Sequence, residues 1–141
     1  MKILLAADGS EHTRRAAKHL VAHLHWFAEK PTVSLLNVHA PMPLNRAAAI
    51  VGKGAVDAYM REECLKALAV AESELAAAKV PYQSSWVSGE VAEEVARFVA
   101  ANGIDLIVMG SHGHSALANL AMGSNATKII ASTKVPVLIV R

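Results

Sequence analysis

The sequence predicts an α/β fold, an open, doubly wound, five-stranded parallel sheet with helices on both faces. Three observations carry this. First, four short runs are almost unbroken Val, Ile and Leu: Ile3–Ala7, Val33–Val38, Leu106–Met109 and Val137–Val140. Such runs suit parallel strands covered on both sides. Second, apolar residues between these runs recur at three- and four-residue spacing, which marks helices with one buried stripe. Third, strands and helices alternate along the chain, and right-handed crossovers then place helices on both faces of one sheet.

Taken in order, Ile3–Ala7 is the first strand, and Ser10 is a good N-cap for the helix that follows. Ala16, Ala17, Leu20, Leu24 and Phe27 form its buried stripe. Val33–Val38 is the second strand. Pro41–Gly54, with two prolines and two glycines, reads as the one long loop. From about Val56 to Lys79, Met60, Leu65, Leu68, Ala71 and Leu75 define a long helix. Tyr82–Val87 is more polar than the other strands, as an edge strand would be. Val91, Val95, Phe98 and Val99 mark a shorter helix, Leu106–Met109 the next strand, and Asn125 to Ser132, with Ile129 and Ile130, the last helix. Val137–Val140 closes the sheet. Trp26 and Trp86 read as packing residues.

Composition narrows the class. A chain of 141 residues is one domain, long enough to bury roughly 68% of its unfolded surface. Its 53% hydrophobic content never gathers into a membrane-spanning run, which takes about 18 residues or more. The apolar start is too short for a signal peptide and is followed at once by Asp8-Gly9-Ser10. A cytoplasmic protein is expected. The single cysteine, Cys64, agrees with a reducing compartment and reads as a buried packing residue. A net charge of +2 without a Lys/Arg cluster gives no case for nucleic acid.

The chemistry concentrates in one motif, Gly110-x2-Gly113-x9-Gly123-Ser124. It begins where an apolar strand stops, and its second half opens a helix. Glycine lets backbone N–H groups approach an anion with no Cβ in the way. A helix N-terminus adds unpaired N–H donors and partial positive charge, and the Ser124 hydroxyl can donate once more. This is a phosphate cradle. In doubly wound sheets ligands sit beyond the carboxyl ends of the strands, where the strand order reverses. Ala7-Asp8-Gly9-Ser10 and Met109–Gly113 both arrive at that edge. Periodicity does not fix the strand order that would bring them together.

Plainer readings compete. Gly110 and Gly113 alone would make a strand-to-helix turn, but the second Gly-Ser in register argues for more. Asp8 could simply cap the first helix, and its position at the crevice favours a dual role. His112 and His114, or His19 and His23 on one helical face, could pair on a metal. No cysteine or carboxylate cluster completes a zinc set, so no metal site is expected. Glu62-Glu63 and Glu93-Glu94 read as solvated helix faces, and Lys53 lacks the surroundings of a Walker lysine.

On Ala7-Asp8-Gly9-Ser10, Leu106–His114, Gly123-Ser124 and Val135–Arg141, the chain resembles the universal stress protein family over its whole length. The resemblance implies strand order 3-2-1-4-5 with four helices, and membership of the ATP-binding subgroup. It implies that Ala7, Asp8 and the backbone around Val38 hold the adenine and ribose end. Met109 and Gly110 would line the nucleoside pocket, and Gly113 would admit the ribose-phosphate. Gly123, Ser124, Asn125 and Ala126 would grip the phosphates. His112 stands where many members have arginine, and Asn125 where many have valine. The implied ligand is ATP, or ADP or AMP, with Mg²⁺ carried by the nucleotide. Binding would order the segment from His114 to Met122 for a protein partner.

The function expected is a nucleotide-binding regulatory protein of the stress response with at most slow ATP hydrolysis. The alternatives are an ATP-consuming enzyme of related architecture and an interaction module with an unused pocket. The related adenylylating pyrophosphatases carry an S-G-G-x-D-S loop after the first strand. Here Ala7-Asp8-Gly9-Ser10-Glu11 stands instead. A homodimer is expected through Val137, Leu138, Ile139 and Val140, because an apolar edge strand is a template for pairing.

Overall fold

The computed structural model describes residues 1–41, 52–114 and 122–141. Five strands, β1 (Lys2–Ala6), β2 (Thr32–His39), β3 (Tyr82–Ser88), β4 (Leu106–Gly110) and β5 (Val137–Val140), form one sheet. Its order is β3-β2-β1-β4-β5 and every pairing is parallel. Among the described residues the α-helices are α1 (Glu11–Ala22), α2 (Lys53–Ala77), α3 (Val91–Asn102) and α4 (Ser124–Ser132). The expected fold class and strand order are therefore observed. No helix among the described residues is long and apolar enough to cross a membrane.

Period-two alternation divides β1 between two cores. Ile3, Leu5 and Ala7 pack with Ala16, Ala17 and Leu20 of α1 and Leu68, Ala71 and Leu75 of α2. Leu4 faces the other side, with Val95 and Val99 of α3 and Ala126 and Ile129 of α4. Each fully buried Leu or Ile contributes about 1.5–3 kcal/mol by leaving water. These two layers hold the sheet from both sides and fix which strand ends lie open. As expected, β3 is a polar edge, with exposed and half-buried residues but no buried one.

Several local expectations need correction. The first helix stops at Ala22, and Leu24–Trp26 forms a 3₁₀ turn. The His19 carbonyl there accepts from both the backbone N–H and the Nδ1 of His23. Leu24 and Phe27 still pack against the core, but from that turn. Leu65 and Ile130 are exposed, because each sits one residue, about 100°, off a stripe. On α2 that stripe runs Val56, Met60, Cys64, Leu68, Ala71 and Leu75. Neither tryptophan is a core residue. Trp26 is 58% exposed and lies against the His23 ring, and Trp86 is 37% exposed on edge strand β3. The expected Pro41–Gly54 loop falls largely outside the described residues, although α2 already begins at Lys53.

Cys64 is fully buried, as expected. Burial first, and the Glu63 carboxylate second, push its thiol up from the ordinary cysteine range.

Candidate functional site

The carboxyl ends of β1 and β4 lie side by side, with Ala6 opposite Met109. The chain leaves β1 towards β2 on one side, whereas β4 leads on to β5 on the other. This is the switch point where a doubly wound sheet opens a crevice. A cavity of about 690 Å³ occupies it. All eleven residues expected at the site line this cavity: Ala7, Asp8, Val38, Met109, Gly110, His112, Gly113, Gly123, Ser124, Asn125 and Ala126. They come from β2, from β4, from the last helix with its N-cap and from the turns that follow β1 and β4, and the sheet order is what gathers them.

The cavity has two chemically different ends. Leu36, Val38, Val91, Val95 and Ile129 give one part an apolar wall. The other part is made of turns and a helix end. Gly123 is the N-cap of α4, in extended conformation and without a side-chain cap hydrogen bond. The first N–H groups of a helix have no partner within it, and those of Ser124, Asn125 and Ala126 belong to residues lining the cavity. No acidic residue stands in that first turn to oppose an anion. The turn after β4 is pinned to this helix by the Gly123 N–H, which donates to the Ser111 carbonyl at 2.8 Å.

Asp8 holds the opposite wall. Its Oδ1 accepts from the Ser10 N–H at 2.9 Å and from Thr13 Oγ1 at 2.7 Å. Ser10 in turn caps α1, its side chain accepting from the Thr13 N–H. Asp8 is thus a cap-associated residue, as its plainer reading held, and also a cavity residue. Its Oδ2 faces Gly113, where a Cβ would come within 2.5 Å of it. The His114 Nε2 donates to the Asp8 carbonyl at 2.8 Å, drawing the β4 turn across to the β1 turn. Asn37, buried in β2, donates to the Ala7 carbonyl at 2.7 Å and braces the same turn from below.

The glycines divide by role. A Cβ on Gly110 would strike the backbone of His12, 2.8 Å from its carbonyl carbon, so this glycine admits close packing of α1. Gly9 sits at φ +80°, and a Cβ there would lie 2.8 Å from the Ala67 Cα of α2. Gly113 lacks a positive φ, and its missing Cβ leaves space beside Asp8 in the cavity.

Sequence reasoning missed Thr13 and the apolar residues Ala6, Leu36, Val91, Val95 and Ile129, and it counted His114 in the cradle motif and as a possible metal ligand without naming it as a site residue. Thr13 was findable: the third helical position after an N-cap turns back towards the cap. The apolar wall carried no signal apart from core packing. Among the described residues no group of three or more His, Cys, Asp or Glu is placed to hold a metal. His19 and His23 stack at 4.1 Å between ring centroids, and burial first and His23 second hold His19 below the ordinary histidine range. His112 shares a 3.0 Å hydrogen bond with Ser111 Oγ, and its ring lies 5.3 Å from that of His12.

Known proteins share this fold. A universal stress protein encoded beside a sulfhydrylase gene in Thermus aquaticus is 33% identical over 140 residues, 99% of this chain and 97% of its own. The solved structure of MJ0577 from Methanocaldococcus jannaschii is 28% identical, with a TM-score of 0.80 over 99% of this chain and 94% of that one. More distant family structures, at 12–22% identity and TM-scores of 0.65–0.66, share the fold. They are complexes with cAMP, with AMP (from Arabidopsis thaliana) and with dAMP (from Archaeoglobus fulgidus), covering 99–100% of this chain and 90–98% of their own. The model of the universal stress protein family matches residues 1–141. The chain belongs to the universal stress protein family.

Proposed function

We propose that this protein is an adenine-nucleotide-binding regulator of the stress response, which senses a nucleotide and does not consume it at an enzymatic rate. One observation carries the reading. Every residue of the Gly110-x2-Gly113-x9-Gly123-Ser124 motif tied to a ligand role lines one cavity, at the switch point, beside a helix N-terminus. The apolar wall suits a base, and the helix end suits phosphate. Family structures solved with cAMP, AMP and dAMP support the same class of ligand.

The sensor half of the reading rests on chemistry. Phosphoryl transfer needs a positioned nucleophile and cations aimed at the transferring group. Among the described residues no Lys or Arg lines the cavity. Backbone amides that grip substrate and transition state alike do not accelerate cleavage. Bound nucleotide instead stabilises the fold by mass action, and the surface proposed for a partner is the segment from His114 to Met122. Most of that segment lies outside the described residues. The working assembly is a homodimer through β5, whose Val137, Leu138, Ile139 and Val140 remain half-buried at the sheet edge. A cytoplasmic location belongs to the same reading.

Mass spectrometry of the freshly purified, denatured protein tests it, together with melting curves in AMP, ADP and Mg-ATP. The expected result is a co-purified adenine nucleotide, or a melting temperature that rises with added nucleotide. A nucleotide-free protein whose melting is unmoved by all three at millimolar concentration would leave an interaction module with an unused pocket.

A further inference from the structure

We propose that the C-terminal turn of α1 is a metal site, in which His19 and His23 together chelate a divalent late transition-metal ion, Cu²⁺ most tightly. The two histidines stand four residues apart, on one side of the helical turn. Their ring centroids are 4.1 Å apart, with 32° between the planes. An ion bound at about 2.0–2.1 Å to one nitrogen of each ring, in adjacent coordination positions, would hold the centroids about 4.5 Å apart. The rings are therefore already close to the spacing that a shared ion requires.

The tautomer of His23 is already set. Its Nδ1 lies 2.7 Å from the His19 carbonyl, which can only accept, so Nδ1 carries the proton and Nε2 keeps its lone pair. A ring N–H donated to a backbone carbonyl is the supporting contact that metal-bound histidines make. The backbone N–H of His23 donates to the same carbonyl at 3.1 Å, which keeps the pair in helical register although His23 is the cap. This end of α1 also carries the negative pole of the helix dipole, which favours a bound cation. Two cations flank the pair, Arg15 and Lys18, and each is met by a carboxylate at 3.9 Å, from Glu11 and Glu74 respectively. Both imidazoles are half-buried and open to solvent. A closed zinc site takes four protein ligands, and this turn supplies two. Water completes the set, so the ion exchanges freely, and imidazole ligands suit Cu²⁺ above Ni²⁺ and Zn²⁺. Neither histidine lines the cavity beyond β1 and β4, so the inference stands apart from the nucleotide reading.

The fold supplies its own reporter. The Trp26 ring lies 4.1 Å from that of His23 and 5.7 Å from that of His19, so paramagnetic Cu²⁺ held by the pair would quench its fluorescence. The test titrates Cu²⁺ into the full chain carrying Trp86→Phe, which leaves Trp26 as the one tryptophan. Saturable quenching by one ion per chain is expected, reversed by excess Ni²⁺ or Zn²⁺ and untouched by Mg²⁺, which prefers oxygen ligands. His19→Ala and His23→Ala should each weaken it at least about tenfold, because either change breaks the chelate, whereas His39→Ala should leave it unchanged. Quenching that does not saturate, or that keeps its midpoint in either single variant, overturns the proposal. A second measurement needs no substitution: substoichiometric Cu²⁺ should broaden the backbone amide NMR signals of residues 19–26 before any others. Broadening that begins elsewhere on the chain overturns it equally.

Discussion

Replacing Gly113 by valine separates a glycine needed for a ligand from one needed for the backbone. Gly113 has no positive φ, so valine meets no conformational penalty of the left-handed kind. The problem is space. The new Cβ would sit 2.5 Å from Asp8 Oδ2, well inside contact distance, and its γ-methyls would enlarge the obstruction. The Asp8 carboxylate can turn away only by straining or breaking its bonds from the Ser10 N–H and Thr13 Oγ1. Hydrogen bonds to a charged acceptor are worth about 1.5–3 kcal/mol each. Asp8 is solvent-exposed, so water compensates much of that loss and the net cost falls to about 1–2 kcal/mol. A domain with 5–15 kcal/mol of stability, a typical range, stays folded. The cavity does not recover, because the β-branched side chain and the displaced carboxylate occupy the space beside the motif. Urea denaturation should therefore show a modest fall in midpoint, whereas calorimetric titration with AMP and ATP should show affinity down at least about a hundredfold. Gly113→Ala should fall between. Parental affinity in the valine variant would refute the placement of the ligand against Gly113.

Other consequences can be checked separately. Ser124→Ala removes one donor to a charged oxygen, about 1.5–3 kcal/mol, so nucleotide affinity should drop roughly ten- to hundredfold in the same titration. Gly110→Ala should act oppositely to Gly113→Val: its Cβ meets the His12 backbone, so stability should fall by about 1–3 kcal/mol in denaturant melts. Cys64 should resist Ellman's reagent in the folded protein and react on unfolding, because burial both shields the thiol and disfavours its thiolate. Light scattering should give a dimer mass, shifted towards monomer by Ile139→Asp; a concentration-independent monomer would remove the β5 interface. Steady-state ATP turnover should stay below about 1 per second, against an enzyme median of about 10; faster turnover that is lost in Ser124→Ala would make the protein an enzyme.

Much of the fold was legible because hydrophobic runs and stripes report burial directly. Ile3–Leu5, Val33–Leu36 and Ile107–Met109 sit in the centre of the sheet, where both faces are covered, and their composition says so. Two of the errors share one physical cause: periodicity reports which residue types recur, not which side of a helix meets a neighbour. Leu65 beside Cys64 and Ile130 beside Ile129 are one step of rotation from the core, and nothing local distinguishes them. Leu24 and Phe27 stay half-buried against the core although the element there is a 3₁₀ turn and its C-cap, because that turn still directs those two side chains inward. Strand order depends on which long-range pairings form, so it came from family resemblance and not from spacing. The cavity's polar end was readable because glycines, Ser124 and Asp8 are chemically conspicuous. Its apolar wall was not, since Val91, Val95 and Ile129 look the same whether they face a core or a ligand.

The central claim is that backbone amides of this motif hold an adenine nucleotide. It is tested most directly by backbone ¹⁵N–¹H NMR titration of the nucleotide-stripped protein with AMP. The account predicts saturable shifts at Asp8, Gly113 and Gly123 to Ala126, with the exposed face of α2 around Leu65 unmoved. Saturating AMP that leaves those amides in place, or moves a different surface, would contradict it.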